Sequence, residues 1–168
     1  KNSYSINSDN TVNFTETIKD YSKPGSFNLP QKKILIKVPG SNIPIVAIQI
    51  IKSDELNGTP SITPDIKKEN DSTLIEANAN FDSRYFTPNF SNFYKINGIK
   101  NIKGQLYLDI DLFTAYYDFN KRKTISISEL SISLEFDNNI SAETTKLLTD
   151  SLFLNQTYNN SKNFSTFS

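Results

Sequence analysis

The chain has 168 residues, with 18 basic and 18 acidic side chains and no histidine, cysteine, methionine or tryptophan. That length suits one domain with its own hydrophobic core. The balanced charge gives no electrostatic reason to bind nucleic acid, and no apolar run is long enough to span a bilayer. Without histidine or cysteine, serine–histidine catalysis, cysteine–histidine catalysis and the usual zinc sites are impossible within this chain. The composition therefore predicts a binding or structural domain and not an enzyme, with no cofactor and no bound metal.

The N-terminal third carries short strand patterns. The polar residues 1–10 are predicted to be a disordered N-terminal segment. Apolar residues within 12–18 predict a first short strand, and the alternation over 33–38 predicts a half-buried second strand. The most apolar run of the chain, residues 45–51, predicts a strand at the centre of the core.

The middle of the chain has little periodicity. Residues 60–82 contain two prolines and a charged stretch, which is typical of a functional or disordered loop, with a possible short strand at 73–75. An aromatic group follows, consisting of Phe81, Tyr85, Phe86, Phe90, Phe93 and Tyr94. Pro88 lies within that group and disfavours a long regular strand there.

A long β-hairpin is the clearest pattern in the sequence. Alternate apolar residues over 106–112 share one strand face, residues 118–121 form a hairpin turn, and 125–136 form the returning strand. The apolar positions change parity at 128–130. Because a one-residue shift moves side chains to the opposite face, this change predicts a β-bulge.

One short helix is predicted near the end of the chain, with Ser141 as its N-cap and leucines of 147–152 on one face. The Asn- and Ser-rich residues 157–168 are predicted to be a flexible linker. Together these elements predict an all-β fold, an antiparallel β-sandwich of jelly-roll type over residues 11–156, with one short C-terminal helix.

Two acidic groups were weighed as sites. Asp109 and Asp111 lie two apart on one strand and point the same way, which could serve Ca²⁺ binding or acid–base chemistry. No further oxygen ligands lie close in sequence, so we interpret the pair as part of a solvated strand face. Asp65, Glu69 and Asp71 lack the glycine and closing glutamate of an EF-hand, and we interpret them as part of a charged surface loop.

The aromatic residues suggest carbohydrate binding as an alternative function. Tyr116 and Tyr117, together with the aromatic group, could form a platform for a sugar ring. Aromatic residues in all-β domains more often belong to a core or an interface. A carbohydrate-binding module therefore stays open as an alternative, as does a non-catalytic adhesion or structural module of a bacterial surface protein.

Several stretches carry a family resemblance through their shared order along the chain. They are Gly25 with Leu29-Pro30, residues 45–53, Ile62 with Pro64, Tyr85-Phe86-Thr87-Pro88, residues 102–136, and residues 148–155. This succession resembles the N-terminal prodomain of gingipain-like secreted cysteine peptidases, over about residues 18–156.

The resemblance implies a β-rich propeptide that assists the folding of a caspase-like cysteine peptidase and keeps it latent until cleavage. The implied partner is the catalytic domain of the chain's own peptidase. The implied location is the periplasm, the cell surface or the exterior of a Gram-negative bacterium.

In that family, a basic side chain on a loop enters the specificity pocket of the peptidase. Lys68 is the best match to this plug and Lys67 is its neighbour. The rest of the corresponding inhibitory loop consists of Asp65, Ile66, Glu69, Asn70 and Asp71. Arg84 is the alternative plug, and a merely solvated charged surface is the competing interpretation of both lysines.

Overall fold

A computed structural model describes residues 2–17 and 20–136, and in addition the backbone of 140–141, 145–148, 154–156 and 165–167. The described residues are all-β. Their strands are β1 (Tyr4–Ile6), β2 (Thr11–Phe14), β3 (Gln31–Lys37), β4 (Ile45–Leu56), β5 (Thr59–Pro60), β6 (Asp65–Lys68), β7 (Leu74–Ala77), β8 (Tyr94–Ile102), β9 (Gln105–Phe113), β10 (Ala115–Asp118), β11 (Lys123–Phe136), β12 (Ile140–Ser141), β13 (Thr145–Leu148), β14 (Leu154–Gln156) and β15 (Ser165–Phe167).

Two antiparallel sheets enclose the main hydrophobic core, as the sequence predicted for a β-sandwich. One sheet has the order β3-β9-β8. In the other, β11 is central, with β4 along one side and β10, β13 and β12 along the other. Both sheets contribute to one cluster of buried side chains: Ile34, Ile36, Val38, Phe93, Leu108, Ile110, Leu112, Tyr116, Ile125, Ile127, Leu130, Ile132 and Leu134.

The predicted bulge in β11 is confirmed. The register between β11 and β4 shifts on both sides of Glu129. Because the shift reverses the strand faces, Ile125 and Ile127 before the bulge and Leu130 and Ile132 after it are all buried in the same core. The bulge thus reconciles odd-numbered and even-numbered apolar positions within one strand.

The N-terminal segment differs from the prediction of disorder. Tyr4–Ile6 form β1, which pairs with β2, and the side-chain amide of Asn2 donates to the backbone oxygen of Thr114 at 2.8 Å. All three residues of β1 are exposed, so backbone pairing holds this strand without an apolar pattern that a sequence could reveal. The strand predicted over 12–18 is present as Thr11–Phe14, and Ile18 lies outside the described residues.

The apolar strand β4 also differs from the prediction. The sequence predicted a strand at the centre of the core, but Val46, Ile48 and Ile50 are only partly buried against the core. In the described part of the chain, β4 is an edge strand that pairs only with β11. Its outward-facing side chains include Ile45 and Ile51, which are exposed. An apolar run indicates burial, but it does not tell how many neighbours a strand has.

The predicted C-terminal helix and linker fall largely outside the described residues. Within the stretch predicted as helix, the described Thr145–Leu148 form β13, which is antiparallel to β11. Within the predicted linker, Ser165–Phe167 form β15 and pair with β14.

Candidate functional site: an exposed β-hairpin

The predicted inhibitory loop is a β-hairpin in the structure. β6 and β7 pair with each other, and in the described residues neither strand pairs with another sheet. The register places Lys67 opposite Ile75 and Lys68 opposite Leu74. Residues on both faces of this hairpin are exposed, so no alternation of apolar and polar residues was required or visible in the sequence.

The tip of the hairpin is closed by local hydrogen bonds. The side-chain oxygen of Asn70 accepts the backbone N–H groups of Ser72 and Thr73 at 3.1 and 2.9 Å. The N–H of Glu69 donates to the carbonyl oxygen of Thr73 at 3.0 Å. Asn70 therefore shapes the turn, and the exposed Asp71 lies at its end.

Backbone hydrogen bonds of Gly25 anchor the base of the hairpin. The N–H of Gly25 donates to the oxygen of Thr63 at 2.9 Å, and the N–H of Asp82 donates to the oxygen of Gly25 at 3.0 Å. Gly25 has a φ of 94°, and a Cβ at this position would lie 2.6 Å from the backbone oxygen of Asn80. Only glycine fits there, and it joins the chain before β6 to the chain after β7.

The two lysines of β6 carry unpaired charges. Lys67 and Lys68 are exposed, and neither side-chain ammonium group makes a hydrogen bond or ion pair within the described part of the chain. Arg84, the alternative plug, is engaged: its Nη2 donates to Oδ2 of Asp82 at 2.7 Å. The Arg84 guanidinium lowers the pKa of Asp82 to about 2, which indicates a charge already satisfied within the chain.

Apolar side chains surround these lysines. Ile66, Leu74 and Ile75 are 36%, 63% and 43% exposed. The predicted inhibitory loop included Ile66 but not Leu74 and Ile75, whose apolar character within a polar stretch was the available signal. Lysines beside apolar groups suit a pocket that has a carboxylate at its end and apolar walls.

The first acidic pair is not a solvated face, and that prediction was wrong for Asp109. Its side chain is 0% exposed, and Lys33 Nζ lies 3.0 Å from its Oδ1, while Lys100 forms a second ion pair. Burial raises the pKa of Asp109. Hydrogen bonds from the ammonium groups of Lys100 and Lys33 lower it by more than burial raises it, so the pKa lies below its usual range. Asp111 shares Lys33, at 3.1 Å. This arrangement is a cross-strand charge network.

The second acidic set is spread over the hairpin, with Asp65 at the start of β6 and Glu69 and Asp71 in the turn. Within the described residues, no three acidic side chains gather closely enough to hold a metal ion.

The aromatic residues considered as an alternative sugar platform lie in two places. Tyr116 is buried in the sandwich core. Tyr117 packs against Phe27 and Phe119, with ring centroids 5.6 and 4.9 Å apart, and Phe81 stacks on Phe27 at 4.6 Å. These rings contact one another in a cluster and do not form a row on one sheet face.

Comparison with protein-family models, with curated proteins and with solved structures gives no match. Nor does any helix among the described residues have the length and apolar character needed to cross a membrane. Fold and geometry define an antiparallel β-sandwich that presents an exposed hairpin, on which two lysines lie beside apolar side chains.

Proposed function

We propose that this chain is a non-catalytic inhibitory domain that keeps a gingipain-like cysteine peptidase latent and assists its folding, outside the cytoplasm. It does so by placing the β6–β7 hairpin in the active-site cleft. The observation that carries this proposal is the pair of exposed, unpaired lysines on a hairpin anchored at its base. The family resemblance of the surrounding stretches supports the same assignment.

Lys68 is the residue that enters the specificity pocket. It is the last residue of β6, next to the turn, and lies opposite Leu74. Consecutive residues of a strand point to opposite faces, so Lys67 and Lys68 cannot both fill one pocket. A carboxylate at the end of the pocket would pair with the ammonium group and offset the loss of its hydration.

The hairpin is suited to inhibition because it resists cleavage. The amide N–H of the bond that follows Lys68 is that of Glu69, and it is hydrogen-bonded to Thr73 across the turn. A peptidase substrate has to become extended, which requires this bond and the Asn70 bonds to break. A segment that is already ordered also loses less conformational entropy on binding than a flexible loop.

The test is a titration of the purified chain into the catalytic domain encoded beside it, following hydrolysis of peptides that end in lysine and in arginine. Wild type inhibits, and Lys68→Ala weakens inhibition by at least about 30-fold because a buried charge loses its partner. Arg84→Ala is the matched control, since that charge is paired within the chain, and it leaves inhibition unchanged.

Each other outcome has a definite meaning. A loss with Lys67→Ala and not with Lys68→Ala assigns the plug to the opposite face of the hairpin. Absence of inhibition by the wild-type chain at about micromolar concentration overturns the proposal, since occupied clefts of this kind bind more tightly.

A further inference from the structure

The edge strand β4 is open to a further strand. It has twelve residues, and in the described part of the chain it pairs along one side only, with β11. Alternate residues of an edge strand direct their N–H and C=O groups away from the sheet, where they can pair with another extended chain.

The two edges of the first sheet are protected and β4 is not. In the first sheet, β3 carries Lys32, Lys33 and Lys37, and β8 carries Lys95 and Lys100. β8 also contains a register shift between Ile96 and Gly98. Charges and bulges of this kind discourage edge-to-edge pairing.

By contrast, residues 45–51 of β4 contain no charged residue, no proline and no glycine, and Ile45–Ile50 pair with β11 in regular register; the irregularity of β4, at Ile51, lies at the end of this segment.

A neighbouring strand would bury apolar side chains on both faces of β4. On the outer face, Ile45 and Ile51 are 66% and 47% exposed. On the inner face, Val46, Ile48 and Ile50 are only partly buried against the core. An added strand would therefore remove apolar surface from water on both sides of the sheet.

We propose that two copies of this chain pair through β4, antiparallel, about a two-fold axis at Ile48. This register places Ile45 opposite Ile51 of the second copy, and the sheet continues across both molecules. On the same outer face Ala47 lies opposite Gln49, and no charged residues meet within the seven paired positions.

A second copy is the partner that this edge fits. A two-fold interface uses the same patch twice, so the patch must complement itself. The uncharged segment does so, because the two exposed isoleucines lie symmetrically about Ile48. An edge selective for a different protein would carry charges that choose its register and partner.

The mass in solution tests the proposal. Sedimentation or light scattering of the wild-type chain, up to about 100 µM, gives a dimer. In a dimer, Ile45→Lys places one ammonium group from each copy among the apolar side chains of the paired β4 strands. It raises the dimer dissociation constant at least about tenfold. Leu74→Lys is the matched control, because Leu74 has a similar exposure on a different element, and it stays dimeric.

Cross-linking tests the register. The chain has no cysteine, so a disulfide can form only at introduced positions. Under oxidation, a mixture of Ala47→Cys and Gln49→Cys gives more linked dimer than either variant alone, because these positions face each other across the two-fold axis.

A monomeric wild type at that concentration, or a dimer that Ile45→Lys leaves intact, overturns the proposal. We expect Ile45→Lys to inhibit the peptidase as the wild type does. Loss of the dimer therefore tests the β4 proposal alone, and loss of inhibition in Lys68→Ala tests the inhibitory proposal alone.

Discussion

The β6–β7 and β10–β11 hairpins share their turn chemistry. In the first, the side-chain oxygen of Asn70 accepts two backbone N–H groups. In the second, Asp118 does the same for Asn120 and Lys121. In both places, therefore, a short polar side chain stabilises the turn by accepting hydrogen bonds from the backbone that follows it.

Burial separates the two hairpins. β10 and β11 bury Tyr116, Ile125 and Ile127 in the core, whereas β6 and β7 leave Leu74 and Ile75 exposed. No residue of β6 or β7 belongs to either core cluster of the described chain. The turn thus determines that a hairpin forms, and burial determines whether it stabilises the domain or is available to a partner.

The largest expected effect compares one residue type in the two regions. Leu130→Ala in β11 removes a fully buried side chain and lowers the free energy of unfolding by about 2–5 kcal/mol. Leu74→Ala in β7 changes it by less than about 0.5 kcal/mol, because that side chain is largely solvated. Urea denaturation followed by fluorescence or circular dichroism measures both, and equal losses would contradict the distinction.

The next effect concerns paired charges on the sandwich. Asp109→Asn leaves Lys100 without its carboxylate and Lys33 with Asp111 alone, and lowers the free energy of unfolding at pH 7 by about 1–3 kcal/mol. Both lysines remain partly solvated, which limits the loss. Thermal or urea unfolding at constant ionic strength measures it, with Asp65→Asn, a carboxylate outside this network, as the control.

The pH dependence of stability follows from the same carboxylate. Because the pKa of Asp109 is lowered in the folded state, the unfolded state takes up its proton first as the pH falls. The contribution of Asp109 is therefore complete above its unfolded pKa near 4 and is lost as the pH falls through the lower folded value. We expect Asp109→Asn to flatten the decline of stability below about pH 4, and an unchanged profile would contradict this role.

A smaller effect is expected at the base of the hairpin. Gly25→Ala introduces a Cβ 2.6 Å from a backbone oxygen at a φ of 94°, and lowers the free energy of unfolding by at least about 1 kcal/mol. Gly104 has a φ of 82°, but no atom lies within 4 Å of the position of an added Cβ, so Gly104→Ala measures the cost of backbone strain alone. Gly40→Ala meets neither problem and is the neutral control. A loss no larger for Gly25 than for Gly104 would show that the close approach to Asn80 is unimportant.

Features with one buried face were predictable from sequence. The alternation in β9 and the parity change at Glu129 follow directly from which side chains must reach the core, and both are confirmed. The predicted pairing of 106–112 with 125–136 in one long hairpin is wrong, because β9 pairs with β3 and β8, and the separate strand β10 forms the hairpin with β11. The short strand predicted at 73–75 is present as β7, but β1 and β6 were missed because strands exposed on both faces need no apolar period.

Contacts between distant strands were also hidden. The burial of Asp109 depends on Lys33 and Lys100, which come from two other strands. Spacing along β9 carries no information about them. For the candidate site, the sequence indicated the segment with Lys67 and Lys68, while the register that adds Leu74 and Ile75 became evident only in the structure.

The most direct test of the account replaces residues 65–77 with a short Gly-Ser linker and measures stability and peptidase inhibition on the same preparation. We predict that the free energy of unfolding stays within about 1 kcal/mol of wild type, since the hairpin contributes nothing to the described core, and that inhibition is lost. A stable variant that still inhibits as wild type does would contradict the assignment of the hairpin as the inhibitory element.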